Sequence, residues 1–159
     1  MENYALLIAI KWIHLMAAVA WIGGMFTNFF IYMPALAKVL DPPTMGKLMG
    51  AVMKRFRVMV YTSISLLLIT GILSGFVLGG ANDLSSGGSW VIILFAKIAV
   101  VAVMVILAIY AFEIMAPRVA KIAAEGPSPK LAKIQKSQKM LAMTGFIMGI
   151  IVLTLSAAL

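Results

Sequence analysis

Long stretches without charge constrain this chain more than any other feature. Residues 12–37, 58–82 and 140–159 contain no Lys, Arg, Asp or Glu, and residues 90–112 contain only Lys97. A helix needs about 20 apolar residues to cross the hydrocarbon core of a bilayer. Because lipid cannot satisfy backbone amides and carbonyls, each stretch is predicted to be helical. We therefore predict an all-α integral membrane protein, folded as an antiparallel four-helix bundle.

The composition supports one membrane domain. The chain is 64% hydrophobic and 11% charged, whereas soluble domains carry about 25% charged residues. We predict a single transmembrane domain with spans at about 4–37, 56–79, 90–115 and 138–158, the third helix ending before Pro117. The first apolar stretch is longer than the roughly 7–15 residues of a signal-peptide core, so we expect it to be retained as a span. We see no convincing internal repeat.

The placement of the basic residues predicts the orientation. The net charge is +8, and eleven of the thirteen basic residues fall between the first and second or the third and fourth apolar stretches. Short cytoplasmic loops accumulate Lys and Arg. We therefore expect both basic loops in the cytoplasm, and both termini and the 80–89 loop outside, in a multi-pass protein of the inner (plasma) membrane. The basic loops are expected to contact anionic headgroups rather than nucleic acid.

Three ionisable side chains lie deep inside the predicted spans, away from their cytoplasmic ends: Lys11, His14 and Lys97. Such groups cost about 2.5–3.5 kcal/mol each on insertion scales and usually mark function. His14 is ten residues from Tyr4, and Lys97 is eight residues from Ser89. At 1.5 Å per residue, they lie roughly 15 Å and 12 Å from the outer ends of their helices. Their similar depth makes a shared site plausible, although both lysines are also placed to snorkel towards the headgroups.

One face of the first helix carries polar and aromatic side chains. Lys11, His14, Trp21 and Asn28 are spaced by three and then seven residues, which keeps them on one side of a helix. Trp21 followed by Gly23 and Gly24 offers a large ring beside two positions without bulk, which suits either a flat ligand or ordinary helix packing. His14 itself suits three roles: a hydrogen-bonded structural histidine, a haem or metal ligand, or a proton relay.

The residue inventory limits the cofactors. The chain has no cysteine, which excludes disulfides, covalent c-type haem and iron–sulfur ligation by this chain. Because His14 is the only histidine, haem would be held by His14 alone, by His14 with Lys97 or a methionine, or between two chains. Copper would need His14 with Met16 or Met25, since thioethers suit Cu(I).

Small residues suggest close helix packing. Glycines recur every four residues in the second and fourth apolar stretches, at positions 71, 75 and 79 and at positions 145 and 149. This spacing lets helix backbones approach closely in lipid. It predicts packing within the bundle, or a face for a homodimer or a larger membrane complex.

Short motifs resemble a known superfamily. Three motifs of the first helix, KWIH (11–14), WIGGMF (21–26) and PAL (34–36), resemble the first helix of the superfamily that joins copper-resistance protein D (CopD) domains with HemJ-type protoporphyrinogen oxidases. In the second helix, MKRF (53–56) leading to TG (70–71) is similar to the same superfamily. Lys97, with Tyr110 thirteen residues later, resembles the lysine helix of the HemJ type.

The resemblance implies a function and a site. From the HemJ type, it implies that His14 and Lys97 are the catalytic pair of a membrane oxidoreductase that binds haem b and oxidises protoporphyrinogen IX. His14 would be the metal ligand, and Trp21, Gly24 and Arg55 would help to bind the cofactor. From the CopD type, it implies copper transport or delivery. A structural or assembly subunit without a cofactor is the third expectation.

Overall fold

The computed structural model describes residues 2–77 and 89–157, and these residues are helical almost throughout. The helical elements, in chain order, are α1 (Glu2–Phe26), the π-helical segment π1 (Thr27–Tyr32), α2 (Met33–Val39), α3 (Pro42–Val77), α4 (Ser89–Ile109), the π-helical segment π2 (Tyr110–Met115), α5 (Ala116–Ala124) and α6 (Pro129–Ala157). The predicted outer loop at 80–89 falls almost wholly outside the described residues.

Four continuous helices are long and apolar enough to cross a membrane. We name them span 1 (Tyr4–Val39), span 2 (Pro42–Ser74), span 3 (Val91–Ala124) and span 4 (Pro129–Ala157). The prediction of an all-α chain with four membrane-length helices is confirmed. In the most apolar window of spans 3 and 4, only 6% of residues are buried. So much exposed apolar surface needs an apolar surrounding, and the chain is a multi-pass membrane protein.

The described residues form two compact units, Met1–Val91 and Ile92–Leu159. In the first unit, α1 and α3 run antiparallel, because residue 14 meets residue 70 and residue 24 meets residues 56 and 59. The side chains buried in this unit recur about once or twice per helical turn: Ile10, Ala17, Trp21, Ile22, Met25, Asn28, Val60, Ser63, Ile64 and Thr70. Separations of one, three, four, six and seven residues keep them on one stripe of each helix, which packs against the other.

Gly24 is the point of closest approach in this helix pair. A Cβ atom built on Gly24 would lie 2.5 Å from Met59 Cε and 2.7 Å from Phe56 Cε2. Its neighbour Gly23 has nothing within 4 Å of the same construction. The two consecutive glycines therefore differ in role, and only Gly24 makes room for side chains of the opposite helix.

A π-helical segment precedes a proline in span 1 and again in span 3. Proline lacks an N–H group, and its ring clashes with the carbonyl four residues earlier. Just before Pro34, the Met33 amide donates to the carbonyl of Asn28. Just before Pro117, the Ala116 amide donates to the carbonyl of Ala111. These bonds span five residues instead of four, which is how π turns widen a helix. The wider turn lets each helix continue through its proline.

The predicted end of the third helix was therefore wrong. Span 3 does not stop before Pro117 but continues through α5 to Ala124. As a result, Arg118 and Lys121 lie on the helix rather than in a loop. In this second unit, π2 and α5 contact α6, and the buried residues are Met104, Met115 and Gly149.

Asp41 starts the second span. Its carboxylate Oδ2 accepts a hydrogen bond from the Thr44 amide at 3.1 Å, and Pro42 follows in the first turn. This is the arrangement of an N-cap, which an aspartate followed by proline favours. Hydrogen bonds from the Thr44 side chain and amide lower the pKa of Asp41 from its ordinary value of 3.8.

The Asp41 cap should titrate at acid pH. Because the folded-state pKa is lowered, the contribution of the cap is fully present above pH 3.8 and is lost as the pH falls through the lower folded-state value. We expect the NMR shift of the Thr44 amide, in detergent micelles, to move with a midpoint below 3.8. Asp41→Asn should remove this titration, and a midpoint above 3.8 would contradict the assignment.

Candidate functional site

His14 lies inside span 1 and makes a hydrogen bond to span 2. Its Nδ1 atom is 2.7 Å from Thr70 Oγ1, and the pair is partly buried. Thr70 itself is only 3% exposed. The single histidine of the chain is therefore held by a side chain 56 residues away, at a depth where water is scarce.

The hydrogen bonds of Thr70 indicate which ring nitrogen of His14 carries the proton. Thr70 Oγ1 is 2.6 Å from the carbonyl oxygen of Leu66, one turn earlier. A threonine hydroxyl has one proton, and in a helix it donates that proton to such a carbonyl. We therefore infer that Thr70 accepts a hydrogen bond from His14 Nδ1–H. In the neutral imidazole, this leaves the lone pair on Nε2.

Gly71 lies beside the imidazole. A Cβ atom built on Gly71 would be 3.8 Å from His14 Cε1, which is ordinary contact distance. Gly71 is exposed, whereas Thr70 is buried. The ring of His14 is thus anchored on one side by Thr70, while its Cε1 edge lies against a position without a side chain.

Trp21 and Gly24, both predicted to wall a ligand, lie in the interface between α1 and α3. Trp21 is buried, and Gly24 lies against Met59 and Phe56. Helix packing accounts for both positions. Their contribution to a ligand site stays a prediction.

The structure does not bring Arg55 to His14. Arg55 is exposed on α3, fifteen residues before Thr70. At 1.5 Å per residue it lies about 22 Å from Thr70 along the helix, too far for one porphyrin on His14 to contact it. Lys11 is exposed on α1, as expected for a snorkelling lysine. Lys97 is partly buried on α4, in the second unit, and its pairing with His14 stays a prediction.

Metal-ligand chemistry at this site rests on the single imidazole. Among the described residues, no cluster of three or more His, Cys, Asp or Glu side chains occurs. Met16, considered above as a copper ligand, lines an apolar groove of about 500 Å³ between α1 and α3. His14 is not among the groove residues, and Met25 is buried in the helix interface. Copper ligation by His14 with Met16 or Met25 therefore stays a prediction.

Asn28 is a buried polar residue that sequence reasoning placed on the inner face but did not explain. Asn28 is the second residue of π1 and is 8% exposed. No described group donates a hydrogen bond to its Oδ1 atom. A buried acceptor without a donor costs about 1–3 kcal/mol.

Replacing Asn28 by leucine should stabilise the first unit. The change keeps similar volume and removes the buried acceptor, so we expect a gain of about 1–3 kcal/mol in unfolding free energy. SDS titration of the detergent-solubilised protein, followed by circular dichroism, measures it. Thr27→Val is the matched control, because Thr27 Oγ1 already donates to the Gly23 carbonyl at 2.9 Å and its loss should give no gain. A loss of stability in Asn28→Leu would mean that a donor pairs with Asn28.

Thr70 was the functional residue that sequence reasoning did not place at the site. It entered only as part of the TG motif in the second helix. The available signal was a hydroxyl residue in an otherwise apolar stretch of span 2, which must find a hydrogen-bond partner in lipid. Which partner it finds depends on the register of two antiparallel helices, and residue spacing alone does not supply that register.

The comparisons with known proteins define a family without assigning an activity. The domain of unknown function DUF4149 matches residues 16–128. The chain belongs to the DUF4149 family. The matched region contains Thr70 and Lys97 and begins two residues after His14. No curated protein and no solved structure shows significant similarity to the chain.

Proposed function

We propose that this protein is a small membrane redox protein that binds haem b through His14. The observation that carries the proposal is the 2.7 Å contact between His14 Nδ1 and Thr70 Oγ1, in which we infer that the imidazole donates. Metal-bound histidines almost always donate their other ring N–H to a second residue, which fixes the tautomer and raises the basicity of the ligating nitrogen. Here that donation would leave the lone pair on Nε2, the nitrogen that would hold the iron.

The surroundings of His14 suit a haem ligand. The anchoring hydroxyl is buried, so water does not compete for the hydrogen bond. The Cε1 edge lies beside Gly71, where no side chain hinders a flat macrocycle. A bound haem would supply one-electron redox chemistry, and the protein would supply the ligand, its orientation and an apolar environment.

Lys97 is part of this proposal. We propose it as the second axial ligand or as the partner of a haem propionate, as the HemJ resemblance implies. The same resemblance makes porphyrinogen oxidation a candidate activity. The two roles of Lys97 differ in protonation, because only a neutral amine ligates iron and only an ammonium group pairs with a carboxylate.

We further propose that the basic ends of the spans face the cytoplasm in the inner (plasma) membrane. The short connections at residues 40–41 and 125–128 are flanked by helical turns rich in Lys and Arg. Such turns accumulate on the cytoplasmic side and attract anionic headgroups. Glycine at position 149, buried on span 4, supports close packing there, within one chain or in a homodimer.

An absorption spectrum tests the haem proposal directly. The protein is expressed with added haem precursor, purified in detergent and examined for a Soret band, with haem quantified as the pyridine adduct. We expect about one haem per chain. A colourless preparation would overturn the proposal. Metal analysis of that preparation after loading with Cu(I) then separates a copper carrier from a protein without a cofactor.

Replacing Thr70 by valine should weaken haem binding without abolishing it. Valine keeps the shape of threonine but cannot accept the proton of His14 Nδ1. Loss of such an outer hydrogen bond typically costs about 10–100-fold in metal affinity, measured here by transfer of haem to apomyoglobin. Thr70→Ser, which restores the hydroxyl, is the control and should bind within a few-fold of wild type. Equal affinity of the valine variant would exclude Thr70 as the anchor of a ligand.

A further inference from the structure

Spans 1 and 3 share a sequence segment at their basic ends. Residues 29–38 read FFIYMPALAK and residues 112–121 read FEIMAPRVAK. The two segments are identical at five of ten positions, and both contain the proline through which the helix continues. The separation between matching residues is 83, with no insertion. Neither segment is of low complexity, so the match is not a consequence of composition alone.

The backbone repeats at the same separation. π1 runs over Thr27–Tyr32 and π2 over Tyr110–Met115, six residues each. Each begins two residues before the shared segment and ends two residues before its proline. Well under 1% of residues in proteins are π-helical. Two π segments of equal length, at equal distance from a matched proline, therefore show that both helices pass their proline in the same way.

Side-chain exposure also matches at a separation of 83. Trp12 is 61% exposed and Phe95 60%, Leu15 is 56% exposed and Ile98 55%, and Trp21 is 5% exposed and Met104 4%. These pairs include both faces of each helix, so the helical phase agrees as well as the position. The agreement is partial within the helices, because Ile22 and Met25 are buried whereas Val105 and Ala108 are only partly buried. In the π segments Tyr32 is exposed and Met115 is buried.

The next helix begins in the same way in both units. Asp41 caps α3 by accepting from the amide of Thr44 at 3.1 Å. Ser128 caps α6 by accepting from the amide of Leu131 at 3.2 Å. A proline follows each cap directly. Each unit is therefore a helix with a π segment and a proline, a short connection, and a capped second helix.

We infer that the two units are copies of one helical hairpin, and that Lys97 occupies in the second copy the position that His14 occupies in the first. Both residues lie twenty positions before their proline and seven positions before a buried residue, Trp21 or Met104. Each copy contains two spans. His14 and Lys97 are then equivalent positions of the two copies, each at the same separation in sequence from its proline.

This equivalence deepens the proposed function and, in its ligand part, rests on it. One hairpin presents an imidazole and the other an amine at the same position. A duplicated fold whose copies differ in this way carries two different polar groups at one equivalent position. The chemical class indicated is a metalloporphyrin, whose iron takes a nitrogen donor and whose propionates take a cation.

A cysteine scan tests the duplication without reference to haem. Because the chain has no cysteine, single cysteines at 10–24 and 93–107 can be spin-labelled in the full chain and reconstituted in phospholipid vesicles. Oxygen and nickel-chelate accessibilities then give depth and facing for each position. We expect the two profiles to coincide best at a shift of 83, with protected positions at 21 and 104. Best agreement at any other shift would overturn the inference, because one residue rotates a helix face by about 100°. Fifteen positions per helix keep the comparison valid when one variant fails to fold.

An exchange variant tests the ligand part. If the positions are equivalent, His14→Lys combined with Lys97→His should still bind haem, although about 10–100-fold more weakly because the imidazole at position 97 has no Thr70 as its anchor, whereas His14→Lys alone should lose it. Loss of haem in the exchange variant, with binding in wild type, would overturn the equivalence of the ligand positions. Absence of haem in wild type would instead overturn the proposed function and leave the result of the cysteine scan in force.

Discussion

Replacing His14 by alanine is expected to remove the haem absorption of this protein entirely. In the proposed site His14 Nε2 is the iron ligand, so the variant loses a coordinate bond and not only a hydrogen bond. The loss should exceed the roughly 10–100-fold cost of removing an outer partner of a metal ligand. Haem-replete expression, detergent purification and the Soret absorbance per chain measure the effect.

The fold should survive this change. Thr70 keeps its hydrogen bond to the Leu66 carbonyl at 2.6 Å when the imidazole is gone, so no buried hydroxyl is left without a partner. Circular dichroism of His14→Ala should therefore match wild type. Lys11→Ala is the matched control, since Lys11 is an ionisable residue on the same helix but is exposed. Added imidazole should restore a Soret band to His14→Ala by filling the space of the lost ring.

Two results would contradict the assignment of His14. A Soret band of unchanged position and intensity in His14→Ala would mean that another residue holds the iron. Failure of the variant to fold, shown by lost helicity, would indicate that the His14–Thr70 bond is structural.

Lys97→Ala then separates the two roles of Lys97. A change from a low-spin to a high-spin spectrum indicates lost ligation, whereas an unchanged spectrum with weaker retention indicates a lost propionate partner.

The course of the helices followed from sequence because bilayer thickness dictates it. Uncharged runs of 20–26 residues admit few alternatives to spanning helices. The one error, the end of span 3 at Pro117, came from treating proline as a helix end. The π turn that accommodates Pro117 depends on backbone hydrogen bonds over five residues, and no residue type predicts such a turn. Once the π segments were located, they also aligned the two copies of the hairpin, which five identities in ten positions did not do alone.

The candidate site was only partly predictable for a different reason. An ionisable residue in an apolar stretch, such as His14, is visible in sequence because its insertion cost is high. Its partner Thr70 is not, since the partner is set by how α1 and α3 slide against each other. Gly23 and Gly24 show the same limit. Both looked like space beside Trp21, but the register of the helix pair fills one of them and leaves the other open.

Gly24→Leu should destabilise the first unit strongly. Even the first atom of the new side chain would lie 2.5 Å from Met59 Cε and 2.7 Å from Phe56 Cε2, well inside van der Waals contact. Met59 can bend away at its flexible end, but the ring of Phe56 must shift, and a whole isobutyl group then has to enter the interface. Overpacking of this kind costs about 1–3 kcal/mol or more. We expect about 3 kcal/mol in SDS titration, which is roughly a 150-fold change in the unfolding equilibrium.

Gly23→Leu is the matched control for this prediction. The substitution is the same and one residue away, but nothing lies within 4 Å of a Cβ atom there. Leucine is also the better helix former by roughly 0.8–1 kcal/mol, so this variant should be neutral or slightly more stable. Adding Met59→Ala to Gly24→Leu should recover much of the lost stability, because it empties the space that the leucine needs. Coupling free energies between contacting residues reach about 0.5–3 kcal/mol. Equal effects of the two leucine substitutions, or no recovery in the double variant, would mean that α1 and α3 do not pack in the register that also joins His14 to Thr70.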